Sequence, residues 1–263
     1  MKDPFVPLAS IVGIAVLAIG AYFYWAQTQQ PPPVPPAQVE QTSPPADKAE
    51  SEIRHPLAPA PPTENTKPLP TLEDSDGGLQ QALAELIGRE SLTRYFVVDS
   101  LVRRVVVTVD ALPQKNLPAQ YDVAQPVAGK FLAAGQDDKL SINFENYRRY
   151  TPYVRLAESL DTKKLVAVYK RFYPLLQQEY KNLAHPTKYF NDRVVEAIDD
   201  LLDAPDIKGV VRLVRPKVFY QFADPDLEAL SAGQKIMVRM GNDNATRLKV
   251  KLRELRQQLT AAG

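Results

Sequence analysis

The chain predicts a mainly α-helical, compact multi-helix domain with one short β-hairpin, placed after a transmembrane helix and a disordered proline-rich linker. Residues 6–25 carry no charge, and thirteen of the 24 prolines fall within residues 31–70. Beyond them, apolar residues recur at intervals of three and four, which is the spacing of helices with one buried face. We therefore divide the chain into an anchor at 1–26, a linker at 27–72 and a globular domain at 73–263.

The uncharged run at residues 6–25 is long enough to cross a bilayer. A helix of this length extends about 30 Å, which matches the hydrocarbon core. The run ends in four aromatic residues at 22–25, and aromatic rings are favoured at a membrane interface. A cleaved signal peptide is the alternative, but the segment stays apolar beyond its weak cleavage site at 18–20. We therefore expect an uncleaved anchor.

Charge around the run predicts its orientation. Lys2 precedes it, and no Lys or Arg follows until Lys48. The positive-inside rule then places the N-terminus in the cytoplasm. We expect a single-pass protein of the bacterial inner membrane, bound to that membrane through residues 6–25, with its C-terminal domain in the periplasm. The chain has no cysteine, which excludes disulfides and thiol chemistry.

The linker at 27–72 has too few apolar residues to form a core, and its prolines favour an extended chain. We interpret it as a spacer, in preference to a ligand for a proline-binding groove. His55 lies inside this linker and is given no functional role.

Apolar spacing and capping residues predict the elements of the domain. Asp99 is the predicted cap of one helix, although Val105–Val107 favours a strand there, and Asp161 is the predicted cap of another. Residues 130–132 and 139–142 predict a hairpin across 135–138, and residues 210–222 predict an extended segment that Pro216 interrupts. The predicted helices cover about 79–87, 101–112, from 143, from 161 to about 180, 190–202, 225–230, 234–240 and 242–259.

Composition excludes several function classes for the domain. Residues 73–263 contain 28 Lys and Arg against 25 Asp and Glu, which is too balanced for general nucleic-acid binding. The domain has one histidine, His185, and no Gly-x-Ser-x-Gly motif or glycine-rich phosphate loop. Hydrolase, zinc and nucleotide signatures are therefore missing, and we predict no cofactor and no metal.

Four motifs in order along the domain carry a family resemblance. The chain resembles an uncharacterised proteobacterial family with a domain of unknown function, over residues 72–258. The resemblance implies a single-span, inner-membrane-anchored envelope protein, but it carries no activity or catalytic residue. The motifs are Leu72-Glu73-Asp74-Ser75-Asp76, Tyr189-Phe190-Asn191-Asp192-Arg193, residues 212–220 and Leu230-Ser231-Ala232-Gly233-Gln234-Lys235.

One candidate binding surface combines cations with aromatic rings. In the extended segment Arg212 shares a face with Val214, and Arg215 shares the other with Lys217. Cations beside rings can hold a phosphate, a carboxylate or a partner's C-terminus. The alternative is that Arg212 and Arg215 pair with helix carboxylates such as Asp199 or Asp203. The candidate residues are Arg212, Arg215, Lys217 and Tyr220, joined by Tyr147, Arg148 and Tyr150.

Two other features have competing interpretations. Glu196, Asp199, Asp200 and Asp203 form a helical stripe that can hold a cation or act as an acid–base pair, or can simply face solvent or arginines. The last helix is basic with an apolar stripe, so it can lie on an anionic membrane or dock on the core. We favour the second interpretation in both cases.

These observations predict an interaction or scaffold module of the cell envelope, in preference to an enzyme, whose partner is an envelope protein or peptidoglycan. The alternatives are an enzyme acting on peptidoglycan or another envelope polymer, with carboxylate chemistry at residues 196–206, and a domain that binds glycan or lipid without turnover.

Overall fold

The computed structural model describes residues 53–57, 68–72, 74–136, 139–183 and 185–261. All of them belong to one unit, Ala49–Gly263. The predicted anchor at 6–25 lies outside the described residues. Within those ranges, no helix is both long enough and apolar enough to cross a membrane.

The described part of the chain forms a mainly helical domain, as the sequence predicts, with nine α-helices and two short antiparallel hairpins. The strands are β1 (Ala133–Ala134), β2 (Ser141–Ile142), β3 (Leu213–Val214) and β4 (Gln221–Phe222). The helices are α1 (Ser75–Ile87), α2 (Arg89–Tyr95), α3 (Leu101–Ala111), α4 (Glu145–Ser159), α5 (Thr162–Asn182), α6 (Phe190–Leu202), α7 (Pro225–Ala229), α8 (Ala232–Arg239) and α9 (Asn242–Thr260).

Local sequence patterns predict most of these helices correctly. The bounds of α6 match the predicted range, and Asp161 caps α5 by accepting a hydrogen bond from the Lys164 amide at 3.0 Å. Residues 105–107 are helical despite their strand propensity. They lie within α3, which buries Leu101 and Val106 completely, so packing outweighs the propensity of the backbone.

The predicted cap of α3 is wrong. Asp99 contributes its backbone carbonyl, which accepts from Arg104 Nε at 2.8 Å. The side chain that satisfies the start of the helix is Asp76 of α1, which accepts from the amides of Ser100 at 2.6 Å and Leu101 at 2.7 Å. The carboxylate of Asp76 on α1 therefore takes the role that was predicted for Asp99, since its two oxygens satisfy two backbone amides at the start of α3.

Two apolar clusters form the centre of the helical part. One is built from α1, α3, α5 and the start of α6, with Phe172, Tyr180 and Phe190 fully buried. The other joins α5, α6 and α9 around Val195 and Leu259. The last helix thus docks on the core by its apolar stripe, as we expected.

The two hairpins lie side by side. The predicted hairpin is confirmed, with its first strand at Ala133–Ala134 instead of 130–132. Residues 210–222 form a second hairpin in which Leu213 pairs with Phe222, and Pro216 lies between its strands. Two backbone hydrogen bonds join the described residues of the hairpins, from the Ile142 amide to the Val211 carbonyl at 3.0 Å and from the Leu213 amide to the Leu140 carbonyl at 2.9 Å.

A short segment of the predicted linker contacts the domain. Residues 53–57, which we call the strap, lie against the start of α6. The side chain of Leu57 packs on the cluster that joins α5, α6 and α9. The strap is thus part of the folded unit, although it lies within the proline-rich stretch that we interpret as a spacer.

Candidate functional site

The second hairpin forms one wall of a cavity of about 550 Å³, which we call the hairpin groove. The opposite side comes from the loop before β1 and from α4 and α8. The lining residues are Val127, Phe131, Arg149, Tyr150, Leu213, residues 218–222 and Arg239.

Two apolar side chains project from the tip of the hairpin. Val218 is 70% exposed and Phe219 is 80% exposed. The turn is held by Arg215, whose Nε donates to the Val218 carbonyl at 3.3 Å and whose guanidinium lies 5.4 Å from the ring centre of Tyr220. The tip therefore presents apolar surface to solvent in a fixed turn, which is a common property of protein interaction sites.

The predicted cations of this hairpin are exposed. Arg212 donates from Nη1 to the Lys139 carbonyl at 3.1 Å. Among the described residues, no carboxylate forms an ion pair with Arg212, Arg215 or Lys217. Their charges are therefore not balanced by carboxylates in the described part of the domain and can attract an acidic partner.

The alternative pairing of these arginines with Asp199 is wrong. Arg256 of α9 occupies that carboxylate, with Nη2 at 3.1 Å from Oδ2. The α9 arginine reaches Asp199 because α9 packs along α6.

Arg149 builds the opposite wall of the groove. Its guanidinium donates to four successive carbonyls of residues 127–130 at 2.6–3.1 Å and to Asn146 Oδ1 at 2.9 Å. These bonds fix the loop that carries Val127 into the groove. Arg149 thus has a structural role, because its donors are already used.

Tyr150 and Tyr220 line the same groove, as the candidate surface requires. Burial raises the pKa of the Tyr150 hydroxyl, and the nearby guanidinium groups of Arg239 and Arg149 oppose that shift. The Phe131 ring lies 5.6 Å from that of Tyr220. The groove thus combines an apolar floor with nearby cations, which suits an apolar side chain flanked by carboxylates.

Tyr147 and Arg148 line a different cavity, of about 460 Å³. Burial raises the pKa of the Tyr147 hydroxyl, and the Tyr147 ring packs on the cluster that contains Val211 and Phe222. Arg148 is exposed, with Nη1 at 3.3 Å from the Glu145 carboxylate. The predicted set therefore divides: Tyr150 and Tyr220 share the hairpin groove, Tyr147 and Arg148 line the second cavity, and Arg212, Arg215 and Lys217 line neither.

Most of the acidic stripe of α6 is engaged by neighbouring groups. Glu196 pairs with Arg193 at 2.8 Å and Asp199 with Arg256. Asp200 accepts from the Ser231 hydroxyl at 2.6 Å, and burial raises its pKa against that hydrogen bond. The interpretation of the stripe as a partner for arginines is confirmed for Glu196 and Asp199. In the described part of the chain, no three His, Asp or Glu side chains come close enough together to hold a metal ion.

A charged cavity of about 340 Å³ was not predicted from the sequence. His185 Nε2 lies 3.6 Å from Asp110, which also accepts from Arg193 Nε at 3.0 Å. The Tyr180 ring stacks beside His185 at 4.6 Å, and burial, together with Asp110, raises the pKa of the Tyr180 hydroxyl to about 12. These residues come from three separate segments, so no local motif could have identified them.

Of three comparisons with known proteins, one found a match. No curated protein and no solved structure matches the chain. A model of a protein family of unknown function, DUF3014, matches residues 101–256. This range extends from the start of α3 into α9 and includes both hairpins. The chain therefore belongs to the DUF3014 family of proteins of unknown function.

Proposed function

We propose that this chain is a membrane-anchored interaction or scaffold module of the bacterial cell envelope, which binds a partner protein through the hairpin groove. The uncharged run at 6–25 would anchor it in the inner membrane, and the absence of Lys and Arg after the run until Lys48 favours a periplasmic domain. The proline-rich linker would let the domain search for its partner while it stays close to the membrane.

The observation that carries the proposal is the exposed hairpin tip. Protein interfaces are enriched in aromatic residues and arginine, and a few such anchors supply most of the binding energy. Phe219, with 80% exposure, lies in the same short turn as Arg215 and Lys217. We infer a partner segment that covers Phe219, inserts an apolar side chain into the groove and places carboxylates near the two cations.

The engaged carboxylates favour binding over catalysis. An enzyme acting on an envelope polymer through residues 196–206 would need acidic groups that are free to exchange protons with substrate. Glu196, Asp199 and Asp206 instead pair with Arg193, Arg256 and Lys249. We therefore place enzymatic activity second.

Site-specific photo-crosslinking in cells tests the proposal. A photoreactive amino acid replaces Phe219 in the full-length protein, and a matched protein carries it at Val250, which is 53% exposed on α9. We expect position 219 to capture one dominant protein that position 250 does not. Capture of lipid or glycan alone at 219, or identical products at both positions, would contradict the proposal.

A further inference from the structure

The strap lies across the start of α6, bends at Arg54 and His55, and is bound there through its backbone. Asp192 accepts hydrogen bonds from the amides of Arg54 at 3.1 Å and His55 at 2.7 Å. The Leu57 amide donates to the Tyr189 hydroxyl at 2.9 Å, and the His55 carbonyl accepts from Asn191 Nδ2 at 2.9 Å. Four hydrogen bonds thus hold the backbone across residues 54–57.

The groups that hold the strap are built into the domain. Asn191 is fully buried, and its Oδ1 accepts from the Tyr169 hydroxyl at 3.1 Å, which orients the amide towards His55. The Asn191 backbone amide donates to the Tyr173 hydroxyl at 3.3 Å. These two hydrogen bonds are made within the domain and not by the strap, and recognition groups held in this way lower the entropic cost of binding.

One side chain of the strap packs on an apolar cluster of the domain. Leu57 packs among apolar residues of α5, α6 and α9, including Val195 and Leu259, whereas Ile53 is 51% exposed. Between them Pro56 has no amide donor to satisfy, and its ring fixes φ at that position. The site thus combines hydrogen bonds to the backbone of residues 54–57 with an apolar contact that suits an aliphatic residue after proline.

From these contacts we propose that Tyr189, Asn191 and Asp192 form a peptide-binding site for a segment that is held through its backbone and ends in Pro-Leu, occupied here by the chain's own residues 53–57. The strap is an exchangeable ligand joined covalently to its site. Covalent linkage gives it a high effective concentration, on the order of millimolar, so a second peptide must compete with it. None of the residues that bind it lines the hairpin groove.

Docking of the strap also changes the reach of the linker, if the proposed anchoring holds. The free linker would end at residue 52 and contain 26 residues, in place of 46 for 27–72. At about 3.1 Å per residue, full extension falls from about 140 Å to about 80 Å. Release of the strap would therefore lengthen the tether.

A direct binding experiment uses a fluorescent peptide of residues 50–60 and the full-length chain with residues 53–57 replaced by Gly and Ser. We expect this variant to bind the peptide at least about tenfold more tightly than the unaltered chain, whose site is occupied. Adding Asp192→Ala should abolish the gain. Equal binding to both chains, no binding to a folded strap-replaced chain, or binding unchanged by Asp192→Ala would overturn the proposal.

Altered peptides test separately whether the site binds the backbone of the strap and whether it binds the Leu57 side chain. A peptide N-methylated at His55 loses the donor to Asp192 but keeps every side chain, so we expect at least tenfold weaker binding. Leu57→Ser should weaken binding to a similar extent, whereas Ile53→Ser should have little effect because that side chain is half exposed. Equal effects of the two Ser substitutions would contradict selection of Leu57 by the apolar cluster of α5, α6 and α9.

Hydrogen exchange in the unaltered full-length chain covers the case in which the strap-replaced chain does not fold. The amides of Arg54 and His55 should be protected, and excess unlabelled peptide should accelerate their exchange as it displaces the strap. Unchanged exchange at a saturating peptide concentration would contradict an exchangeable site.

Discussion

The ring of Tyr147 lies directly on the backbone of Gly241. A β carbon at Gly241 would be 2.6 Å from Cγ of that ring. Gly241 also has a φ of +82°, a region that residues with a side chain rarely adopt. The turn between α8 and α9 is therefore tied to the first turn of α4, and with it to the cavity that Tyr147 and Arg148 line.

Substitution of Gly241 should lower the stability of the domain through two separate effects, backbone strain and a clash with Tyr147. We expect Gly241→Ala to lower the free energy of unfolding by about 3–5 kcal/mol, because backbone strain adds to the clash with Tyr147. Gly88 is a matched control, because its φ is +83° and a β carbon added there would meet no neighbouring atom within 4 Å. Gly88→Ala should cost only the strain, about 1–3 kcal/mol. Equal losses in urea unfolding would show that the Tyr147 contact contributes nothing.

The cap of α3 provides a second stability test. Asp76→Ala should lower the free energy of unfolding by about 1–2 kcal/mol, since the amides of Ser100 and Leu101 lose their acceptor. Asp99→Ala, at the position that local sequence favours, should change it by less than about 0.5 kcal/mol. Chemical denaturation of the two variants decides between them, and a larger loss for Asp99→Ala would contradict the structure.

Alkaline pH should destabilise the domain through its buried tyrosines. The pKa of Tyr180 is raised to about 12 in the folded chain, mainly by burial, whereas an unfolded tyrosine titrates near 10. The folded chain holds the proton of the Tyr180 hydroxyl more tightly than the unfolded chain does. The contribution of Tyr180 to the free energy of unfolding is therefore complete below pH 10 and is lost as pH rises from 10 to 12.

Tyr180→Phe isolates this contribution. Relative to the unaltered chain, the variant should gain up to about 2 kcal/mol in free energy of unfolding between pH 9 and pH 12. Urea midpoints measured across that interval provide the test. Parallel curves for the two proteins would show that Tyr180 does not carry the pH dependence.

The exposed arginines should contribute to partner binding without supporting the fold. We expect Arg212→Ala with Arg215→Ala to weaken binding of the protein captured at position 219 by about tenfold or more, through loss of charge complementarity. Lys208→Ala with Arg253→Ala removes two exposed cations elsewhere and is the matched control. Retained affinity in a folded Arg212/Arg215 variant, measured by co-purification, would remove both residues from the site.

Elements set by local pattern could be predicted from the sequence. The periodic apolar residues of α6 and α9 gave their positions, and Asp161 gave the start of α5, because each signal lies within one turn of its effect. The Pro216 segment was predicted as extended, but its pairing into a hairpin was not. The hairpin folds β3 back onto β4 within the segment and also bonds to the first hairpin near β2, a contact between residues about 70 positions apart that local pattern does not reveal.

Features made by distant residues could not be predicted in this way. Asp76 caps a helix that starts 25 residues later, and Val127 and Arg239 reach the hairpin groove from separate elements. The strap was hidden for a different reason, since it lies within a proline-rich stretch that suggested a spacer. Its docking depends on Asn191 and Asp192, more than 130 residues away.

Crosslinking of the full-length chain in cells, followed by mass spectrometry of what co-purifies, tests the central claim most directly. It compares the unaltered protein with a Val218→Ser, Phe219→Ser variant, whose exposed positions leave the core intact. We predict one dominant protein partner at near-stoichiometric yield, lost in the variant. No partner, glycan-linked material alone, or an unchanged yield in the variant would contradict an interaction module that acts through this hairpin.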